Sequence, residues 1–255
     1  MLVKTPNLPI KKVSLAIADT TNMEILPKGI EYIPTVEIPA LPKGICRHTD
    51  LQVHHLGDSL IVSAPECYEY YKSKLEKYGF EVIKGKTWLG GNYPADIAYN
   101  IARGGKVAFH NARYTDSVIK EFFEKNNIKL VSVKQGYSKC SVVVLSEKAI
   151  ITSDVSIHTA AQKNGVESLL IEPGYVRLPG YEYGFLGGSA FMLDKETLFV
   201  TGSIKRHPSK QNIYDFLEKQ NIKPVEVGDD LPMDIGSVIV LAEEGEYAAS
   251  VVGNR

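Results

Sequence analysis

The stretch YGFEVI, residues 78–83, carries an amphipathic helix into a strand, and near-copies of it recur along the chain. GIEYI from Gly29, GFEVI from Gly79, NIKLV from Asn127, GVESLL from Gly165 and NIKPVEV from Asn221 align by residue type. Each opens on Gly or Asn, the residues that best tolerate the left-handed backbone closing a helix C-terminus. An apolar residue, a polar one and further apolar positions follow, as in a strand entering a core. A joint repeated in this way predicts internal repetition.

Helical spacing precedes four of the joints. In ECYEYYKSKLEKY, Tyr68, Tyr71 and Leu75 share a face; in DSVIKEFFEKN, Val118, Phe122 and Phe123 do, with Asp116 as N-cap. DVSIHTAAQKN and SKQNIYDFLEKQ repeat the form. Ahead of each helix, two apolar runs are divided by a short turn, LGDS, ARGGK, LSEK or LDKE, and read as a hairpin. The unit is strand, turn, strand, helix, strand, about 40–55 residues long.

The fifth copy is split between the two ends. DIGSVIVLAEEGEYAASVV predicts a C-terminal hairpin, and VSLAIADTTNMEILPKGIEYIPTVE an N-terminal strand followed by the joint. The expected fold is α/β: a five-bladed β/α propeller of ββαβ units with pseudo-fivefold symmetry. It forms one domain over residues 1–255, its last blade closed by both termini so that no sheet edge is left free. Hairpins rather than single strands before the helices disfavour a TIM barrel. The competing expectation is an ordinary open α/β sheet whose units look alike by chance.

The totals exclude several classes. A formal net charge of −1 over 255 residues gives no broad attraction to nucleic acid or anionic lipid. No apolar run approaches the roughly 18 residues of a membrane span, and the N-terminal MLVKTPNLPIKK lacks a signal-peptide core. The three cysteines, Cys46, Cys67 and Cys140, are too few and odd in number for a disulfide framework, which points to a reducing, cytoplasmic setting. Without CxxC or HExxH there is no local metal signature, so neither metal nor cofactor is expected.

A five-unit ring brings the starts of its first strands together at a centre. There the sequence sets His48 and Asp50, then Asn92, Asp96 and Asn100, then Cys140, then Gly187, Gly188 and Ser189, then Asp234 and Ser237. His48 and Asp50 would share a face if both stood in a strand. A thiol, an imidazole and carboxylates in one pocket are the parts of covalent catalysis on a cation. Trp88, beside GGN, is placed to stack on a planar cation. Cys46 and Cys67 read as structural, and the adjacent His54 and His55 face opposite ways in a strand.

The five ββαβ units, with HTD at 48–50 and GYSKCS at 136–141, resemble the pentein superfamily of guanidine-modifying enzymes over nearly the whole chain. That group holds arginine and agmatine deiminases, dimethylarginine hydrolases and amidinotransferases. The resemblance implies a small cationic guanidino substrate. It implies attack by Cys140, proton transfer by His48, and a grip on the cation by Asp50 with Asp96 or Asp234. Asn92, Trp88 and Ser189 complete the expected substrate-binding set.

The chain departs from the family pattern in two places. LGGSAFML resembles a Gly-Gly-acid element but sets Ser189 where the acid would be. The family also places His-x-Asp in a middle blade and the Cys near the C-terminus; in that order, this chain has no nucleophile. The alternative function is therefore a non-catalytic pentein-fold binding protein, as the resemblance to the ribosome anti-association factor of archaea and eukaryotes implies.

Overall fold

The computed structural model describes residues 1–245. β1 (Val13–Ala18) and β2 (Glu31–Pro34) come first. A helical turn, α1 (Thr49–Gln52), leads into the hairpin β3 (Val53–Gly57) and β4 (Leu60–Ser63), then α2 (Tyr68–Leu75) and β5 (Glu81–Lys84). Next are β6 (Ala102–Gly104), β7 (Val107–His110), α3 (Ser117–Lys125) and β8 (Lys129–Ser132). A second helical turn, α4 (Ser138–Ser141), precedes β9 (Val142–Ser146), β10 (Ala149–Thr152), α5 (Val155–Lys163) and β11 (Glu167–Leu170). β12 (Ala190–Asp194), β13 (Thr197–Val200), α6 (Lys210–Lys219), β14 (Lys223–Glu226) and β15 (Ile239–Glu243) follow.

These strands pair into five three-stranded sheets. In each, the middle strand runs antiparallel to the first and parallel to the third. The helix between middle and third strands makes the crossover a parallel pair needs. The joints behave as the sequence predicts: Gly29, Gly79, Asn127, Gly165 and Asn221 all have positive φ, at 84°, 84°, 53°, 71° and 57°. Each third strand begins two residues further on. Asp116 caps α3 by accepting from the Val118 amide at 2.9 Å.

Two expectations need revision. The fifth sheet is β15–β1–β2, with Val13 opposite Glu243, so its middle strand comes from the N-terminal side of the chain. The return strand expected of a C-terminal hairpin falls at 246–252, outside the described residues. The apolar face of α3 is also turned slightly: Ile119 and Phe123 are buried, and Val118 and Phe122 only pack at the margin. Both pairs are spaced i, i+4 and so share a face, and the fold turns the Ile119–Phe123 pair inward.

The first strands of neighbouring units touch. β3 contacts β15, β6 contacts β9, and β9 contacts β12. Phe191 of β12 and Val240 of β15 share one apolar cluster. Between β3 and β6 the link is polar: the buried Arg103 donates from Nη1 to Leu56 O at 2.6 Å and from Nε to Gly105 O at 3.0 Å. Its guanidinium also lies 5.7 Å from the centre of the Phe123 ring. A charge held in apolar surroundings is tolerated when its donors are used, as two are here.

His54 and His55 on β3 and His110 on β7 are all buried. Burial pulls all three imidazoles below the ordinary range, His55 and His110 to about 4. The unfolded chain therefore takes up protons below about pH 6.5 while the folded chain does not, so stability falls as pH drops from there toward 4. Each pH unit across that window is worth about 1.4 kcal/mol per imidazole, so His55 and His110 each cost on the order of 3 kcal/mol at the acid end. Thermal melts between pH 7.5 and 4.5 should show Tm falling steeply below pH 6.5, and less steeply in His110→Gln. A flat profile would disprove this account.

Candidate active site

The starts of the first strands do gather polar groups, with His48, Asp50 and Cys140 on helical turns rather than in strands. His48 stands at the N-cap of α1 with Asp50 inside it, and Cys140 lies in α4. The expected strand face shared by His48 and Asp50 is thus replaced by one turn of helix. Neighbouring units hold these turns. Asp50 N donates to Gly236 O at 3.2 Å. Asn100 Oδ1 accepts from Lys139 N at 2.7 Å and Cys140 N at 3.4 Å, satisfying amides at the start of α4.

His48, Asp50 and Cys140 come together in space. One donor atom from each lies within 4.8 Å of the others, and all three residues are buried. Among the described residues, no other three His, Cys, Asp or Glu groups converge closely enough to hold a metal ion. The Cys140 thiol donates to Asp50 Oδ2 at 2.9 Å, and Asn100 Nδ2 lies 3.2 Å from the sulfur. Ser237 Oγ reaches the same Asp50 oxygen at 2.6 Å, while Asp50 Oδ1 has no partner.

Asp234 forms a second buried carboxylate. Its two oxygens accept from Gly236 N and Phe185 N, both at 2.9 Å. It packs on Gly188, where a Cβ would lie 2.0 Å from Asp234 Oδ1. The Gly-Gly pair thus makes room for a carboxylate arriving from another part of the chain. Ser189, expected at the position of an acid, is buried and spends its hydroxyl on Leu186 O at 2.9 Å.

Above the thiol lies a cavity of about 290 Å³. Tyr137, Tyr181, Tyr183 and Phe185 wall it, and His48, Cys140, Glu182 and Asp234 are its charged or titratable lining residues besides the tyrosines. Asp96 stands behind that wall, accepting a hydrogen bond from Tyr137 OH. Trp88 and Asn92 line no part of the cavity. Trp88 is 66% exposed because its loop is fastened at the rim: Asp116 accepts from Lys86 N and Thr87 N, and Glu66 from Leu89 N. Asn92 is exposed on the same loop.

The sequence sets Asn100 and Ser237 at the centre but gives them no role, and it does not single out Lys139. Asn100, Cys140 and Ser237 each stand two residues before a first strand. That shared register was the available signal. Lys139, buried beside Cys140, gave none.

The electrostatics oppose a resting thiolate. Burial, then the Asp50 and Asp234 charges, push the Cys140 thiol well above the usual range, and the Asn100 contact offsets only part of this. Burial likewise raises the Asp50 carboxyl, against the lowering influence of His48, Cys140 and Ser237. Burial lowers the Lys139 ammonium, and Asp50, Cys140 and Asp234 pull it back up. The surroundings of the free site thus favour the neutral thiol, which is hydrogen-bonded to Asp50.

Residues 12–239 match the family described as "Family of unknown function (DUF6873)", and the chain belongs to it. No curated protein matches the sequence. Solved structures share its architecture. One is SxtG, an amidinotransferase from Microseira wollei in the saxitoxin biosynthetic pathway: 10% identity, TM-score 0.55, 98% of this chain and 99% of that one. Another is the inosamine-phosphate amidinotransferase StrB1 from Streptomyces griseus: 8% identity, TM-score 0.58, 97% and 98%. A third is the agmatine deiminase of C. jejuni: 14% identity, TM-score 0.51, 90% of each chain. At such identities the likeness is one of fold, and the fold is that of the pentein superfamily.

Removing the Asp50 charge tests the coupling to the thiol. In Asp50→Asn, alkylation of Cys140 by iodoacetamide at pH 7.5, followed by peptide mass spectrometry, should speed up. The gain is up to about tenfold for each pH unit by which the thiol's titration moves down. An unchanged or slower rate would show that Asp50 does not hold the thiol protonated.

Proposed function

We propose that this DUF6873 member is a hydrolase or group-transfer enzyme acting on small cationic guanidino or amidine compounds, with Cys140 as nucleophile. The observation that carries the reading is the convergence of His48, Asp50 and Cys140 within 4.8 Å beside an aromatic-walled cavity. Aromatic faces attract a planar cation, and the buried Asp234 carboxylate in the cavity lining, with Asp50 2.9 Å from the Cys140 sulfur, suits its N–H groups. Asp50 and Asp234 take the binding role, His48 the proton transfers, and Tyr137 and Asp96 support the wall.

The raised thiol fits this chemistry. The Asp50 and Asp234 charges hold the proton on sulfur in the free site, and a bound guanidinium offsets both charges. It also replaces the thiol as the partner of Asp50. The Cys140 proton then passes to His48, and the thiolate attacks the central carbon. The C–N bond breaks as His48 returns the proton to the departing amine, leaving an amidino group on sulfur. Water, giving up a proton to His48, or a second amine then releases it.

The same reading takes the five sheets as a closed five-bladed propeller over the whole chain, fastened by β15 and β1. Neighbouring first-strand contacts support it. A reducing, cytoplasmic location is proposed from the unpaired state of Cys46, Cys67 and Cys140. Among the described residues, no helix is long and apolar enough to cross a membrane. The protonated resting thiol and the hydroxyl-bearing Ser237 on the last unit favour a second reading, a binding protein that has kept the fold without turnover.

Incubation with arginine, agmatine, methylarginines and creatine-like compounds, with ammonia or amine release as readout, separates the two. Turnover that drops at least about a thousandfold in Cys140→Ser supports the enzyme. No release from any of these compounds, together with no covalent adduct on Cys140 from the thiol-directed amidine chloroacetamidine, would leave only the binding protein.

A further inference from the structure

Glu182 and Asp234 are the carboxylates that line the aromatic cavity, and among the described residues no lysine or arginine lines it. Asp50 adds another carboxylate 2.9 Å from the Cys140 sulfur. Most of the remaining lining is carbon: Ile45, Leu51 and Leu178 join Phe185 and the tyrosine rings. Two of those rings, Tyr181 and Tyr183, are exposed and flank Glu182 in the chain.

This wall is held in place by the backbone. Phe185 N donates to Asp234 Oδ2 at 2.9 Å, Gly184 N to Val176 O at 2.8 Å and Tyr181 N to Leu178 O at 3.0 Å. A Cβ on Gly184 would lie 2.5 Å from Asp234 Cβ, so the segment runs close against that residue. The carboxylate suited to a guanidinium therefore also fixes the aromatic segment beside it.

The cations of this region lie elsewhere. Lys43 and Arg47 line a second cleft of about 510 Å³, which shares only His48, Leu178 and Asp234 with the aromatic cavity. There Arg47 is already paired with Glu37 at 3.0 Å. Lys139 lines a small void with Asp50, His54 and His55 instead.

A guanidinium seated at Asp234 and Cys140 leaves the rest of its molecule against carbon. An anionic tail there would lose water, gain no cation and face Glu182, and an unpaired charge taken out of water is costly. A hydrocarbon tail gains from the same burial, roughly fourfold in affinity for each methylene. On the guanidino reading above, we infer that the cavity selects guanidines or amidines with an apolar tail that carries no carboxylate. Glu182 is then a specificity-determining residue that turns away anionic tails. Free amino acids bearing a guanidino group are poor ligands for such a cavity.

The test compares three guanidines that differ only in the group ending a three-carbon chain. Butylguanidine ends in methyl, 3-aminopropylguanidine in ammonium and 4-guanidinobutyrate in carboxylate. Affinities are measured by titration calorimetry on the wild type and on Cys140→Ser, which blocks turnover, with ethylguanidine as the shorter apolar control. The carboxylate compound should bind at least about tenfold more weakly than butylguanidine. Butylguanidine should bind roughly tenfold more tightly than ethylguanidine, and Phe185→Ala should remove most of that gain. In Glu182→Gln the preference for the ammonium over the carboxylate compound should shrink about threefold to fivefold.

Three results would overturn the inference while leaving the guanidino reading intact. They are a gap of less than about tenfold between butylguanidine and 4-guanidinobutyrate, equal binding of ethyl- and butylguanidine, and an ammonium-to-carboxylate preference untouched by Glu182→Gln. No binding of any of these compounds to either protein would overturn the guanidino reading, and this inference with it.

Discussion

The Asp50 carboxylate is the point on which the centre of the molecule depends. One oxygen holds the Cys140 thiol at 2.9 Å and the Ser237 hydroxyl at 2.6 Å, while the residue's own N–H donates to Gly236 O. Three distant stretches of chain thus meet on a single buried residue. Removing a partner from a buried carboxylate is costly, because the remaining charge keeps its desolvation penalty. The arrangement around Asp50 is therefore a structural requirement, and any ligand that takes Asp50 must replace the partners it displaces.

That constraint explains why the centre is built from helical turns. A strand would send alternate residues to opposite faces and spread its N–H groups into a ladder. A single turn before the strand instead leaves amides free for groups from the next unit. Asn100 takes up those of Lys139 and Cys140, and Gly236 takes that of Asp50. In these two places one unit finishes the polar bonding of another, and the carboxylate of Asp234 follows the same logic by packing on Gly188.

Much of this was legible in the sequence. The five joints were readable because a left-handed residue leaves a mark in residue type: Gly or Asn closes every helix-to-strand passage. His48, Asp50 and Cys140 were readable because polar residues of functional type stand just before apolar runs. What was not legible was local conformation and register. Nothing in HTDLQ or YSKCS announces one turn of helix, since four residues carry no period. Trp88 was misplaced because its loop is directed by Asp116 and Glu66, from other segments of the chain. The acid absent at Ser189 could not be traced to Asp234 without knowing that Gly188 opens the space.

The pairing of β15 with β1 bears on how the molecule comes into being. Four of the sheets draw on contiguous stretches and can form as soon as each stretch leaves the ribosome. The fifth joins Val13 to Glu243, a contact between distant stretches, and waits until Glu243 has been made. Ser237 and Gly236, the partners of Asp50, arrive with that same late segment. Nascent chain therefore carries four shaped units before the fifth sheet can form. The Cys140 sulfur acquires a settled environment only when β15 is laid down.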